Sequence, residues 1–279
     1  MNINPPTINR FSREVFEKLL ADFAQTVAET IATAARPCPF LDSIAGMLVS
    51  LRYHDRLYTD LCAFTQYLKP GARVLDLGTG SGIAGVMFAA QGFETHCIDI
   101  DDFNEAPEVH DGMAAEQQLL WRVLMRKYPN IHFQHYYDSR VPFADSAFDA
   151  VIAYGVIEHV PEAVLDQVMS EIRRVTTTAG YLFISYLPRQ WAWLEIVLKL
   201  MGRSHHLRRW GDREIRKFLF RFHYTILIFQ RIIFAPQYPP RFTNRHKAVF
   251  DKLDALANIF PFALFARDLL IIAKCEKKM

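Results

Sequence analysis

Apolar residues in the first third of the chain recur at helical spacing. Phe11, Val15, Phe16, Leu19, Leu20, Phe23, Val27 and Ile31 lie three and four positions apart. This predicts one long amphipathic helix, with Ser12 as its N-cap ahead of Arg13-Glu14. Pro37 and Pro39 end it. Helical patterns over 43–51 and 55–68 follow, and Lys69-Pro70-Gly71 then turns the chain. Beyond that turn the period changes. Short apolar runs over 74–77, 95–100, 131–137, 148–154 and 181–185 read as strands. Helical patterns over 83–90, 113–128 and 162–174 lie among them, with a turn over 176–180 and an aromatic-rich helix over 189–201. Residues 244–260 read as a further amphipathic helix. Strands alternating with helices predict an α/β architecture.

The candidate chemistry starts where the first run breaks into glycines, Val74-Leu75-Asp76-Leu77-Gly78-Thr79-Gly80-Ser81-Gly82. Strand, tight glycine loop and small-residue helix open a nucleotide-binding βαβ unit, in which glycines permit positive φ and close backbone approach to a ligand. The spacing is G-x-G-x-G rather than G-x-G-x-x-G, and no Lys-Ser/Thr follows as in a P-loop. Asp76 inside the motif would repel a phosphate, so a ligand with a cationic or neutral centre is favoured. Asp99 closes the second strand about twenty residues past the glycines, where a carboxylate can accept both ribose hydroxyls of a nucleoside. A simple turn acid is the other reading of Asp99. Asp101, Asp102, Glu105 and Glu108 read as a solvated loop. Asp138, at the end of the third strand, is placed to accept an exocyclic amine.

These motifs, together with Asp138-Ser139-Arg140-Val141-Pro142-Phe143 and Phe148-Asp149-Ala150-Val151, resemble the class I S-adenosylmethionine (SAM) methyltransferases over residues 71–188. The resemblance implies a Rossmann-like three-layer sandwich whose mostly parallel, seven-stranded sheet has an antiparallel last strand. Residues 213–222 and 224–229 then fit the helix and sixth strand, and 269–274 the closing strand. Where relatives usually carry glycine ahead of the sixth strand, this chain has His223.

The same resemblance assigns residues to the cofactor. Asp76, Gly78, Thr79, Gly80 and Gly82 belong at the amino-acid and sulfonium end of SAM, Asp99 at the ribose, and Ile100 and Asp138 at the adenine. A backbone N–H beside Asp138, at Ser139, supports the ring, and Tyr154 ends the fourth strand at the same site. Tyr154-Gly155-Val156-Ile157-Glu158-His159-Val160-Pro161 is similar to the small-molecule and quinone-type O-methyltransferases. The quinone branch reads E-x-x-E-H there, and those acids and His have been linked to a metal. Gly155 replaces the first Glu, so no metal is expected.

His159 is the candidate general base for a hydroxyl acceptor, since an unperturbed imidazole titrates near roughly 6.5. Glu158 is the candidate to orient it or to bind substrate. Helix-entry residues satisfied by backbone are the plain alternative for both. The [DN]-P-P-[YF] pattern of adenine or amide N-methylation is missing after strand four. Cys38 lies ahead of the glycine motif, outside the positions a cytosine C5 nucleophile takes. No Ser-His-Asp elbow or zinc-ligand pattern occurs.

Composition adds partners. The chain has 279 residues, of which 51 % are hydrophobic and 22 % charged, an ordinary globular balance, with net charge +2. Residues 74–121 carry nine acids and no Lys or Arg, whereas 187–241 carry eleven Lys and Arg against three acids. Such asymmetry predicts a cofactor half and a separate surface facing something anionic. The basic stretch reads as a solvated face, as a surface for a lipid-linked or anionic substrate, or, less favoured, as a nucleic-acid surface. Four scattered cysteines indicate a reducing compartment. No signal-peptide pattern opens the chain, and no run reaches the roughly 18 apolar residues of a membrane span. A cytoplasmic protein, peripheral to the membrane at most, is expected. The expected domains are a helical extension over 1–70, packing on the sheet edge or serving as a lid, and a SAM-binding domain over 71–279. The expected activity is methyl transfer from SAM to a hydroxyl of a small-molecule, glycan or lipid-like acceptor. RNA methylation and SAM binding without catalysis are the alternatives, and oligomeric state is left open.

Overall fold

The computed structural model describes residues 11–100, 113–136, 140–202 and 207–276. Seven strands of a mixed, mostly parallel sheet, flanked by helices, give the expected Rossmann-like class. The chain divides into two compact units at Asp138 and Ser139, and each is described by itself.

The first unit opens with α1 (Arg13–Thr33), α2 (Pro39–Met47) and α3 (Leu51–Thr65). The Ser12 hydroxyl caps α1 by accepting the Val15 N–H. The apolar stripe of α1 buries Phe16, Leu20, Phe23 and Val27. Pro39 begins α2 instead of merely ending α1, because its fixed φ suits a first helical position. The second and third helices each lie about three or four residues earlier than their apolar pattern indicates. Three parallel strands follow, β1 (Arg73–Leu77), β2 (Glu94–Ile100) and β3 (Ile131–Tyr136), with β2 in the centre. The helices α4 (Ile83–Ala89) and α5 (Met113–Lys127) connect them. Every residue of α4 is buried, as its small apolar composition requires. Asp22 fastens α1 to the end of α5, accepting from the Tyr128 hydroxyl at 2.9 Å and pairing with Lys127. Glu116 on α5 accepts the Leu41 N–H of α2 at 2.9 Å.

The second unit contains β4 (Phe148–Tyr154), α6 (Glu162–Val175), β5 (Thr176–Pro188), α7 (Trp193–Leu200), α8 (Asp212–Arg221) and β6 (Tyr224–Ile232). After these come α9 (Pro240–Arg245), α10 (Lys247–Asp254) and β7 (Asp268–Cys275). β4 and β5 are parallel, and β7 inserts antiparallel between β5 and β6. The antiparallel closing strand is thus present.

Several local expectations needed correction. Thr176 pairs with Phe148 and Tyr181 with Ala150, so 177–180 loop out as a bulge inside β5 rather than forming a turn ahead of it. α7 starts at Trp193, not 189, because Arg189 holds its stretch in a bridge to Trp210. Its guanidinium runs inward to Asp212 and to the carbonyls of Ala263 and Ala266. The helix expected over 244–260 breaks at His246 into α9 and α10, then tightens into a 3-10 turn over Ala255–Asn258. His223 adopts φ 60°, taking the left-handed position that a glycine would otherwise fill.

Candidate functional site

In the first unit, β1 runs directly into the glycine loop. Gly82 at the start of α4 has φ 84°, and a Cβ there would lie 2.5 Å from the Phe133 ring. Only glycine meets both conditions. Gly80 has φ 54° and faces open space, with its N–H donating to Asp99 Oδ2 at 2.7 Å.

Asp76 is fully buried beneath this loop. Its Oδ2 accepts from the Thr79 hydroxyl at 2.6 Å and the Gly85 N–H at 3.2 Å. Burial pushes its carboxyl up to about 7, against the pull of those two hydrogen bonds. Gly85 is part of the same construction, since a Cβ there would meet Cys97 Sγ at 2.2 Å.

Asp99 ends β2 with both oxygens engaged. Oδ2 also accepts from Gln117 Nε2 at 3.0 Å, and Oδ1 accepts its neighbour's N–H at Ile100, 2.9 Å. Burial raises this carboxyl above its usual range although the donors Gly80, Ile100 and Gln117 oppose the shift. Ile100 is half-buried beside it.

Two residues of this cradle escaped the sequence reading. Gln117 and Trp121 lie four apart on α5 and so share a face. Trp121 Nε1 donates to the Gly80 carbonyl at 3.1 Å, and its ring stacks on Phe133 at 5.1 Å and tilts over His135 at 4.4 Å. Gln117 Oε1 lies 2.8 Å from His135 Nε2. Asp138 and Ser139 lie outside the described residues, as do Asp101, Asp102, Glu105 and Glu108.

In the second unit, Tyr154 ends β4 with its ring 5.1 Å from Tyr186. Gly155 then takes φ 69° while its N–H pairs with the Ser185 carbonyl. This turns the chain into a single 3-10 turn, Ile157–His159. Glu158 is 2 % exposed, and its Oε2 has no hydrogen-bond partner among the described residues. Burial pushes its carboxyl up to about 8; Asp268 and Glu195 add to the shift and Arg267 opposes it. His159 is the reverse, with a side chain 41 % exposed. Its Nε2 stands 3.9 Å from Glu158 Oε1, within ion-pair range but too far for a hydrogen bond.

The neighbours of Glu158 were also invisible in the sequence. Arg267 Nε reaches Glu195 Oε1 at 3.4 Å and Asp268 Oδ2 at 3.7 Å, and both carboxylates are buried. Three buried acids thus gather around one guanidinium, drawn from the 158 turn, α7 and β7. Among the described residues no group of three or more His, Cys, Asp or Glu is placed to hold a metal ion.

Comparisons with known proteins bear on the family and the fold of the chain. A family model described as a methyltransferase domain matches residues 51–227. A demethylmenaquinone methyltransferase of Beutenbergia cavernae is 33 % identical over 132 residues, 47 % of each chain. An uncharacterized methyltransferase of a Mycobacterium species is 30 % identical over 165 residues, 58 % of this chain and 57 % of that one. The chain thus spans about half the length of the curated relatives it matches. Among solved structures, a SAM-dependent methyltransferase from Methanosarcina mazei superposes with a TM-score of 0.55 at 16 % identity, covering 77 % of this chain and 98 % of that one. A 1,6-didemethyltoxoflavin-N1-methyltransferase from Burkholderia thailandensis, solved with bound 1,6-didemethyltoxoflavin and S-adenosylhomocysteine, also gives 0.55, at 15 % identity, covering 99 % of this chain and 94 % of that one. These two likenesses concern the fold.

Proposed function

The chain belongs to the methyltransferase domain family, and on that premise we propose that it transfers a methyl group from SAM to a hydroxyl of a small-molecule, glycan or lipid-like acceptor. The observation that carries this reading is the glycine loop with Asp99 behind it. The backbone is already in the left-handed conformations the loop needs, and the carboxylate already touches the Gly80 N–H at 2.7 Å. A cradle without cationic side chains also suits a sulfonium better than a phosphate. SAM supplies an electrophilic methyl carbon, so the chain's task is chiefly alignment, which can provide effective molarities of roughly 10⁵–10⁸ M.

Within the first unit, Gly78, Thr79, Gly80 and Gly82 would hold the amino-acid end of SAM. Asp76 braces that loop from below through Thr79 and Gly85. Asp99 would accept the ribose hydroxyls, with Gln117 keeping its carboxylate oriented. Ile100, Asp138 and Ser139 are assigned to the adenine side, and Tyr154 is kept as a cofactor-binding candidate of the second unit. In the second unit, exposed His159 would take the acceptor's hydroxyl proton. Glu158, held neutral by burial, would donate a hydrogen bond from the oxygen that now lacks a partner. The demethylmenaquinone relative favours the lipid-like end of the acceptor range.

Isothermal titration with SAM and with S-adenosylhomocysteine tests the cofactor half. Binding of NAD with no response to SAM would overturn it. Label from methyl-labelled SAM should enter an organic extract or a glycan fraction; label in nucleic acid would replace the acceptor class.

A further inference from the structure

α7 is built inside out. Its acid, Glu195, is wholly buried and faces the Arg267 guanidinium. Its aliphatic residues Ile196, Val197 and Leu200 point to solvent, Leu200 with 83 % of its surface exposed. The exposed ionisable side chain of this helix is Lys199.

A second segment of the same unit has the same character. Residues 255–266 read Ala-Leu-Ala-Asn-Ile-Phe-Pro-Phe-Ala-Leu-Phe-Ala and include no charge. Ile259, Phe260, Phe262, Leu264 and Phe265 are between 42 % and 80 % exposed. The two segments share their supports. Trp193 Nε1 donates to the Phe234 carbonyl at 2.7 Å, and the Phe234 ring meets Phe262 edge-on at 6.2 Å. Arg267 ties the C-terminal end of the segment to Glu195, and Arg189 donates to the carbonyls of Ala263 and Leu264. Large aliphatic and aromatic side chains gathered outside a folded unit mark a surface made to be covered.

Charge identifies the cover. The three acids within 187–241 are all engaged internally: Glu195 by Arg267, Asp212 by Arg189 and Arg231, Glu214 by Arg208. Of the eleven Lys and Arg of that stretch, Arg189, Arg208, Arg221 and Arg231 pair with acids of this unit, and Lys199 is the cation exposed on α7. An apolar face whose exposed ionisable side chain on α7 is Lys199 suits an anionic lipid surface, into which Phe and Leu insert shallowly while Lys stays at the headgroups. A two-fold pairing of this face with a second copy would bring in a second Lys199 with no exposed acid on α7 or on 255–266 to answer it. Among the described residues no helix is long and apolar enough to cross a membrane, so the contact would lie in the plane of the interface.

We propose that α7 and the 255–266 segment form one interfacial face that seats this unit on an anionic lipid bilayer. This deepens the lipid-like acceptor reading by saying where such an acceptor would be met. Docking itself is measured without turnover.

The full chain is sedimented with phosphatidylcholine vesicles, with and without phosphatidylglycerol. The wild type should pellet with the anionic vesicles and release at high salt. Leu200→Ser and Phe260→Ser should each lower the bound fraction constant by about tenfold or more, the value of one buried apolar side chain. Lys199→Glu should weaken binding to the anionic vesicles alone. All three variants should titrate with SAM as the wild type does, which separates failure of docking from failure of the methyltransferase reading. A wild type that stays in the supernatant with both vesicles overturns the proposal, as do serine variants that bind equally well. A dimer in sedimentation equilibrium that Phe260→Ser dissociates also overturns it, because the face would then be a self-interface.

Discussion

The cofactor cradle of the first unit and the carboxylate group of the second both bury acids, but they satisfy them differently. Asp76 and Asp99 are met by donors from the loop and the helix that they support, Thr79 and Gly80 of the loop and Gly85 of α4, with Gln117 added from α5. Among the described residues Glu158 Oε2 meets no hydrogen-bond partner, and its buried neighbours Glu195 and Asp268 share Arg267. An unsatisfied buried carboxyl costs free energy that evolution removes from a purely structural core. The acids of the first arrangement are met by donors of their own unit, whereas Glu158 Oε2 in the second has no hydrogen-bond partner among the described residues.

The largest expected effect falls on the exposed residue of the second arrangement. His159→Ala should lower kcat by roughly 10²–10⁴-fold, the usual value of a positioned base. SAM affinity should not change, because the cradle shares no residue with His159. A loss under roughly threefold with an unaltered pH–rate profile would make His159 structural and leave alignment to carry the rate. The next effect falls on the cradle. Asp99→Ala should weaken SAM binding by about 1.5–3 kcal/mol, the scale of hydrogen bonds to a charged group. Titration calorimetry reads it, and an unchanged Kd would remove Asp99 from the ribose.

The two arrangements also differ in how far the sequence discloses them. Gly78, Gly80 and Gly82 announce the cradle because positive φ is a local demand that one residue type meets. Asp99 follows from its distance along the same βαβ unit. Gln117 and Trp121 escape because an α5 face that buries a Gln and a Trp resembles any half-buried helix. Around Glu158 almost nothing is local. Glu195 and Asp268 reach it only through the antiparallel return of β7 and the inward turn of α7. An acid on an apolar helix and an Arg-Asp pair ahead of a strand carry no motif. Segment boundaries failed for similar reasons. The bulge in β5 and the bridge at Arg189 are set by partners distant in sequence, which no periodicity reports.

A third test probes the unfinished arrangement through pH. Burial lifts the Glu158 carboxyl from 4.5 to about 8. Between those values the folded chain keeps a proton that the unfolded chain has released, so unfolding free energy falls as pH rises. The stability that Glu158 contributes is fully present below about pH 4.5 and is lost as pH climbs through 8. Glu158→Gln removes this proton from the balance. Urea melts across that window should show the variant with a flatter profile, by at most about 1.4 kcal/mol per pH unit. Parallel profiles would mean that Glu158 is ionised when folded and donates nothing to an acceptor.

The smallest effect, and the sharpest test of the finished cradle, is Trp121→Phe. The indole N–H is the side chain's single donor, and it holds the Gly80 carbonyl at 3.1 Å while the Gly80 N–H holds Asp99. Phenylalanine keeps the stack on Phe133 and removes only that donor. Gly80 is half-buried, so water can replace part of the lost bond. The expected cost is therefore the net value of a neutral hydrogen bond, about 0.5–1.5 kcal/mol. If Trp121 presets the loop, the cost appears in SAM affinity, as a roughly two- to tenfold rise in Kd. If Trp121 merely packs α5 against β3, the cost appears in the urea midpoint and Kd stays where it was. Measuring both on one preparation separates a residue that orients the loop from one that only supports it.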